Sequence, residues 1–472
     1  MILENEVPFW TNEDGKIKIS NARLIGFLEL NGFIQVELSP TNYLLVKKED
    51  NKIRKSSEDE MIKFVSGYLL SKRLNKVYEA FVRGVSNFFS AKKLNFLPLV
   101  NSPNDRDEIN KSILYFNNCY CEITIDEIKV KSYDQLASVI WKNRIIDYDY
   151  VHKKSNEVGQ FEQFCKNITK NDSERLLTLK TILGYLLHRN KDRGETVAII
   201  LYDENMGLDG LTHGGTGKSL LAKALSKTRE LVEFNGKFLK VDSWFKNQRL
   251  EETTDLVLYD DLSDKVSLES FYANLTTGFD IEKKRKDAYF IPFERSPKVI
   301  ITSNYPVKGP GGSSDERRRF EFEIANYYDN EFMPEDEFGN RFFGKDWAIL
   351  EWNKFYEFLM ECLQEYLDKG LVKSPKINLD KNKFVFKTCP QFLEFANKHF
   401  VADKVLSKRF FENLFDKKYP TLEITPHRFY KWCQIWANEN DFILKKLQKG
   451  GEYHIKFQKK DDKVDNITKE VV

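Results

Sequence analysis

Hydrophobic spacing changes character three times along this chain. In the first hundred residues "KIKIS" (16–20) and "FIQVELS" (33–39) alternate apolar and polar positions as half-buried strands do. Between them "NARLIGFLELNG" has helical spacing and is closed by Gly32. From about Glu58 to Lys92 the apolar positions recur at a helical period, predicting one long amphipathic stretch. Residues 112–131 predict a hairpin around a polar turn, and Phe161 to Arg193 return to helical spacing. Asp172 or Ser173 is placed as an N-cap there, with Gly194 as the stop after a basic last turn. After Gly194 come three short continuous apolar runs, "TVAIILY" (196–202), "DLVLYDD" (255–261) and "KVIITSN" (298–304). Such runs suit strands buried on both faces, and strands alternating with helices predict a parallel α/β sheet. That module closes near Lys373, and "KSPKIN" reads as a linker.

Beyond it three short helices are expected, in "FLEFANKHF", "SKRFFENLFDKKYP" and "TPHRFYKWCQIWANEN", with Thr425 and Pro426 as N-cap and N1 of the third. "FILKKLQKGGEYHIKF" follows as a hairpin turning at Gly450-Gly451. The expected division is 1–100, a mixed α/β region; 101–193, a hairpin plus helical region; 194–373, the parallel α/β module; 378–460, three helices and a hairpin resembling a winged helix; and 461–472, a polar tail.

Composition narrows the class. The 472 residues are 41% hydrophobic and 31% charged, suiting a globular chain of about three domains. No apolar run approaches the ~20 residues of a membrane span, so no membrane partner is expected. Six cysteines without a C-x-x-C pair suit reduced thiols in a cytosol-like compartment and make a zinc site improbable. The net charge is only +2, yet from Lys398 to Lys460 there are 14 Lys and Arg against 7 Asp and Glu. A basic block on a near-neutral protein suits a polyanion.

The chemistry concentrates between 212 and 319. In "THGGTGKSLL" (212–221), small residues let backbone N–H groups wrap phosphates, a lysine can reach the β- and γ-phosphates, and a hydroxyl can serve Mg²⁺. Gly214, Gly215, Thr216, Gly217, Lys218 and Ser219 are the candidates; Thr212 stands where the strict pattern has a glycine, and His213 is read as a spacer. Asp260 and Asp261, at the tip of an apolar strand, can hold Mg²⁺ and polarise a water, the residues alone not deciding which does which. Asn304 ends a third strand, where an amide can orient that water. Arg317, Arg318 and Arg319 precede an alternating strand and are candidates for reaching a neighbour's γ-phosphate. Lys283, Lys284, Arg285 and Lys286 crowd an expected hairpin tip, where a polyanion would relieve their repulsion. His427, Arg428 and Lys431, with Lys445–Lys449, would contact phosphates from the C-terminal block, while Trp432 and Trp436 read as core.

The order "GGTGKS", "VLYDD", basic hairpin, "IITSN" resembles the superfamily 3 helicases of viruses, phages and plasmids, and most of all the helicase half of phage and plasmid primase-helicases. The likeness covers roughly residues 90–370. It implies an AAA+-type P-loop ATPase core and a ring, usually a hexamer, with ATP at subunit interfaces, Mg²⁺ as cofactor and 101–193 as a collar-like region. It further implies that Lys218 binds phosphate, that Ser219 and Asp260 serve Mg²⁺, that Asp261 serves the water and Asn304 senses the γ-phosphate. One arginine among 317–319, with Arg318 favoured, would act in trans, and the hairpin would track a strand of single-stranded or forked DNA. A phage- or mobile-element-encoded protein in a bacterial cytoplasm is the implied setting.

Three rivals stand beside this. Asp147 and Asp149 in "IIDYDYV" alternate like a two-metal acid pair. They lie only about 65 residues before the phosphate motif, too close for a polymerising fold, so a primase is expected on another chain or not at all. The second rival is an ATP-switched initiator that binds an origin without unwinding, and the third is a metabolic kinase, which would need a small-molecule acceptor pocket and has no use for the basic hairpin or the C-terminal block. Residues 1–100 decide nothing, though docking a primase or polymerase is one role open to them.

Overall fold

The computed structural model describes residues 2–4, 6–39, 42–101, 103, 106–152, 157–206, 215–284 and 287–459. The polar tail expected at 461–472 lies outside them. The fold is mixed α/β. The chain opens with β1 (Trp10–Glu13), β2 (Lys16–Ile19), α1 (Asn21–Leu30), β3 (Phe33–Ser39), β4 (Asn42–Glu49) and β5 (Lys52–Lys55). Then come α2 (Glu58–Ser71), α3 (Asn75–Phe88), α4 (Ala91–Leu94) and β6 (Leu99–Asn101). The single helix expected over 58–92 is thus three. Arg73 adopts a left-handed φ of 56°, and Leu74 N–H donates to Leu69 C=O. That capping geometry ends α2 and turns α3 back, so that Val77 and Phe81 bury beside Val65 and Leu69.

The hairpin expected over 112–131 is a three-stranded meander of β7 (Ser112–Phe116), β8 (Tyr120–Ile123) and β9 (Ile128–Lys131). β10 (Ile140–Trp141) joins the N-terminal sheet in the order β10-β5-β4-β3-β6, and β11 (Ile145–Ile146) pairs with β7. α5 (Gln160–Asn167) and α6 (Ser173–Leu187) follow, and Asp172 caps α6 by accepting from Arg175 N–H. α6 stops six residues short of Arg193. His188 turns extended, and Arg189 N–H bonds the buried Asp107 carboxylate at 2.8 Å. The basic run leaves the helix because its charges have partners elsewhere.

β12 (Ala198–Asp203), α7 (Lys218–Leu225), β13 (Leu231–Asn235), β14 (Leu256–Asp260), β17 (Lys298–Thr302) and β18 (Arg319–Ile324) build the central module. Between β14 and β17 lie α8 (Tyr272–Thr276) and the hairpin β15 (Gly278–Ile281)–β16 (Tyr289–Pro292); α9 (Ser313–Glu316) precedes β18. The five strands are all parallel, in the order β13-β14-β17-β12-β18. Alternate side chains fill two cores. Ile199, Leu201, Leu258 and Ile300 pack toward α5, α6 and α11 (Ile349–Lys369), while Ile200, Tyr202, Val257 and Ile301 pack toward the 250–281 segment. Both faces being covered explains the unbroken apolar runs.

After α10 (Pro334–Phe338) and α11, the expected linker gives way at Leu379 to α12 (Leu379–Lys387). Then come α13 (Pro390–His399), β19 (Val405–Ser407), α14 (Lys408–Lys418), α15 (Pro426–Glu439), β20 (Phe442–Lys449) and β21 (Glu452–Lys459), with an antiparallel sheet in the order β19-β21-β20. Thr425 caps α15 by accepting from Arg428 N–H, and β20 and β21 meet at Lys449 and Glu452. Among the described residues no helix is long and apolar enough to cross a membrane.

At the N-terminal end of the central sheet lies a buried charge cluster. Asp107 faces Arg189 and Arg229, while Asp255 faces Arg144 and Arg106. Beside it, burial pushes the His188 imidazole down to about 4, against a smaller opposing pull from Asp107. Its Nε2 lies 2.8 Å from the Glu108 carbonyl, as a donor in the neutral ring. Between pH 6.5 and 4 the unfolded chain takes a proton that the folded chain refuses, so stability falls as pH drops through that window and levels off below it. The loss should be about 3 kcal/mol. Denaturant titrations at pH 7 and 4 should show His188→Gln losing less by roughly that amount; parallel losses in the two proteins would contradict it.

Candidate functional site

Parallel strands deliver their C-terminal ends to one edge, and a cavity of about 450 Å³ opens there. Its floor is the loop Gly215–Ser219 that opens α7, and its wall is Asp260, Asp261, Thr302 and Asn304 from the ends of β14 and β17. Gly215 has φ +92° and Gly217 φ +113°, both in the left-handed region. A Cβ on Gly217 would lie 2.6 Å from the Phe164 ring, so this loop passes α5 only as glycine. Gly214, Thr212 and His213 lie outside the described residues.

The acid pair is held by its neighbour strand. The Thr302 hydroxyl donates to Asp260 Oδ1 at 2.7 Å and accepts from Asp261 N–H at 2.8 Å. Asn304 Nδ2 donates to Asp261 Oδ1 at 2.9 Å, and Lys237 pairs with Asp261 Oδ2 at 2.5 Å. That bond raises the Lys237 pKa above the ordinary lysine value. Asp261 sits at φ 55°, a conformation uncommon outside glycine. The candidates Gly215, Thr216, Gly217, Lys218, Ser219, Asp260, Asp261 and Asn304 therefore line one cavity. Ser219 and the Asp260 carboxylate face it together. Mg²⁺ takes one or two protein ligands plus phosphate oxygens, so this donor set fits the ion.

Thr302, Lys237 and Asp203 complete the site without having been legible as site residues. Asp203, which ends β12, accepts from the Thr216 hydroxyl and pairs with the Lys218 ammonium. A further wall, Met333, Pro334, Asn340 and Phe342, comes from α10 and the turn after it. α10 is fixed by Asp336, which accepts from Met333 N–H at 2.8 Å, and by Glu337, which accepts from Tyr328 and Asn167. A polar "EFMPEDEFGN" carries no binding signal by itself; only the Pro334 and Gly339 helix limits could be read.

The arginines stand elsewhere. Arg319 is in register with Ala198, five residues before the end of β12 at Asp203, whose carboxylate contacts Thr216 and Lys218 of the glycine loop. At about 3.3 Å per residue that is roughly 16 Å along the sheet, so none of the three lines this chain's own cavity. Arg319 is half-buried and paired with Asp315 and Glu321. Arg318, the favoured candidate, is bonded to Ser314 and stacked over Tyr272 at 4.6 Å. Arg317 is exposed, and no side-chain partner is seen for it among the described residues.

The basic hairpin tip also divides. Lys283 is only 15% exposed and pairs with Glu251, which Lys55 also reaches at 3.1 Å. It is a bridge to the N-terminal region rather than a free tip cation, because the Glu251 carboxylate lies within its reach. Lys284 is exposed, and Arg285 and Lys286 lie outside the described residues. In the C-terminal block His427, Arg428 and Lys431 are exposed on α15, while Trp432 and Trp436 are buried. Lys445 and Lys446 are exposed on β20. The acid pair Asp147 and Asp149 fails as a strand motif, since β11 ends at Ile146 and Asp147 accepts from Asn117. Among the described residues no group of three His, Cys, Asp or Glu could hold a metal ion.

No protein-family model matches this chain, and no curated protein matches it. Among solved structures, the apo A form of the NrS-1 C-terminal region aligns with 74% of this chain and 96% of that one, at 13% identity and a TM-score of 0.34. A second structure of that region gives the same figures. Drosophila ORC bound to DNA aligns with 66% of this chain and 92% of that one, at 10% identity and a TM-score of 0.20. These likenesses are weak, and nothing about the site is drawn from them.

If Thr302 ties the two strand ends, Thr302→Val should cost about 1–2 kcal/mol in urea titrations, with Thr302→Ser restoring most of it. Equal stability of Thr302→Val and wild type would contradict that role.

Proposed function

We propose that this chain is an ATP-dependent DNA helicase of the superfamily 3 type, acting in replication of a phage, plasmid or other mobile element. The observation that carries the reading is the single cavity lined by Lys218, Ser219, Asp260, Asp261 and Asn304. In this reading the Gly215–Ser219 backbone and Lys218 bind the triphosphate, helped by the positive end of α7. Ser219 and Asp260 would hold Mg²⁺, which would supply positive charge against the triphosphate. Asp261, fixed by Asn304 and Lys237, orients the attacking water. The core is then of the AAA+ P-loop type, the order β13-β14-β17-β12-β18 being what supports it.

Arg317–Arg319 stand away from this chain's own cavity, which Arg341 lines, and a ring would let one of them reach a neighbour's site, with a hexamer as the subunit count the resemblance implies. An arginine of one subunit would complete the next subunit's site. Arg317 replaces Arg318 as the candidate, since Arg318 and Arg319 are engaged within the chain. Lys284, with Arg285 and Lys286, would follow one DNA strand, leaving Lys283 out. The succession α13-β19-α14-α15-β20-β21 supports a winged-helix reading of the C-terminal block, with His427, Arg428 and Lys431 on the duplex. A separate primase or polymerase is a partner this reading leaves room for.

Strand displacement on forked DNA tests this. Wild type should unwind with ATP, Lys218→Ala should lose hydrolysis and unwinding, and Lys284→Ala/Arg285→Ala/Lys286→Ala should hydrolyse without unwinding. Hydrolysis without strand separation on any fork would favour an origin-binding initiator instead. For the arginine, Arg317→Ala should lower turnover by about 10²-fold or more at little change in ATP affinity. Mixing it with Lys218→Ala should restore part of the activity, since some interfaces then pair an intact loop with an intact arginine. No recovery on mixing would count against a shared site.

A further inference from the structure

One buried carboxylate behind the phosphate loop has no part in that mechanism. Asp203 is 2% exposed, at the last position of β12. Its Oδ1 accepts from the Thr216 hydroxyl, and its Oδ2 pairs with the Lys218 ammonium, itself only 14% exposed. Both partners come from the loop, so one side chain fixes the direction of a backbone segment and of the cation it presents. Asp203 is held in turn by the sheet, in register with Ile324 of β18.

We propose that Asp203 is a positioning residue for nucleotide turnover, which aims Lys218 and Thr216 while opposing the binding of the triphosphate. The inference rests on the nucleotide reading of this cavity. An ammonium has three donors, so Lys218 can keep one on Asp203 and offer the others to phosphate oxygens. Fixed this way, it meets the transferring phosphate without a search over rotamers. The same carboxylate adds a negative charge beside a polyanion in a poorly solvated place, which weakens binding. Removing the charge while keeping the shape should therefore separate two quantities that a structural residue would move together.

The test is Asp203→Asn, read by a fluorescent ATP analogue with Mg²⁺ and by steady-state hydrolysis. The dissociation constant should fall by about threefold or more while kcat falls by about tenfold or more. Binding equal to or weaker than wild type, or unchanged kcat, overturns the inference while leaving the nucleotide site standing. Absence of nucleotide binding by wild type removes the nucleotide reading and this inference with it. If Asp203→Asn does not fold, Thr216→Val removes the other partner and should lower kcat several-fold without raising KM; unchanged kcat there overturns the proposal equally.

Discussion

The hydroxyl of Thr302 joins two strands at the point where the acids sit, donating to Asp260 and accepting from the N–H of Asp261. Without that tie, β14 would end in two carboxylates at a parallel sheet edge with nothing to set their separation or direction. With it, Asp260 lines the same cavity as Ser219, and Asp261 is swung into a left-handed conformation where Asn304 and Lys237 hold both its oxygens. Parallel pairing does the rest: because β12, β14 and β17 run the same way, the glycine loop and the acids reach the same edge though they are some forty residues apart.

The opposite edge is fixed by a different force. Asp107 and Asp255 are buried among Arg189, Arg229, Arg144 and Arg106, which come from the region before the sheet as well as from within it. A buried pair adds little over an apolar substitute, but stripping one partner typically costs about 3–5 kcal/mol. The segment around 106–193 is thereby locked to the strand beginnings, and Arg189, just past the end of α6, serves that lock. The buried charge lock lies at one edge and the candidate chemistry at the other, with the apolar strands between them.

How much of this could be read from the chain follows from what each signal depends on. The three buried strands, the glycine loop and the Asp260–Asp261 tip are local patterns, and the structure brings them together. Asp172 and Thr425 are local too, each capping by a bond three residues away. What escaped reading depends on neighbours distant in sequence. Nothing near Lys283 announces Glu251. Arg319's partners Asp315 and Glu321 are close in sequence, but the sequence does not say which of the three arginines they take. The break at Arg73 is a left-handed turn in a residue with no special preference for one. Asp203 is different: a charged residue closing an unbroken apolar strand just before a phosphate loop is visible in "AIILYD", and it can be given a use only once Lys218 is seen beside it.

The most direct measurement of the central claim is a crystal structure grown with a non-hydrolysable ATP analogue and Mn²⁺ in place of Mg²⁺. The account expects the triphosphate along Gly215–Ser219, with the Mn²⁺ anomalous peak beside Ser219 Oγ and the Asp260 carboxylate. An analogue bound elsewhere, or a metal peak away from both residues, would contradict it.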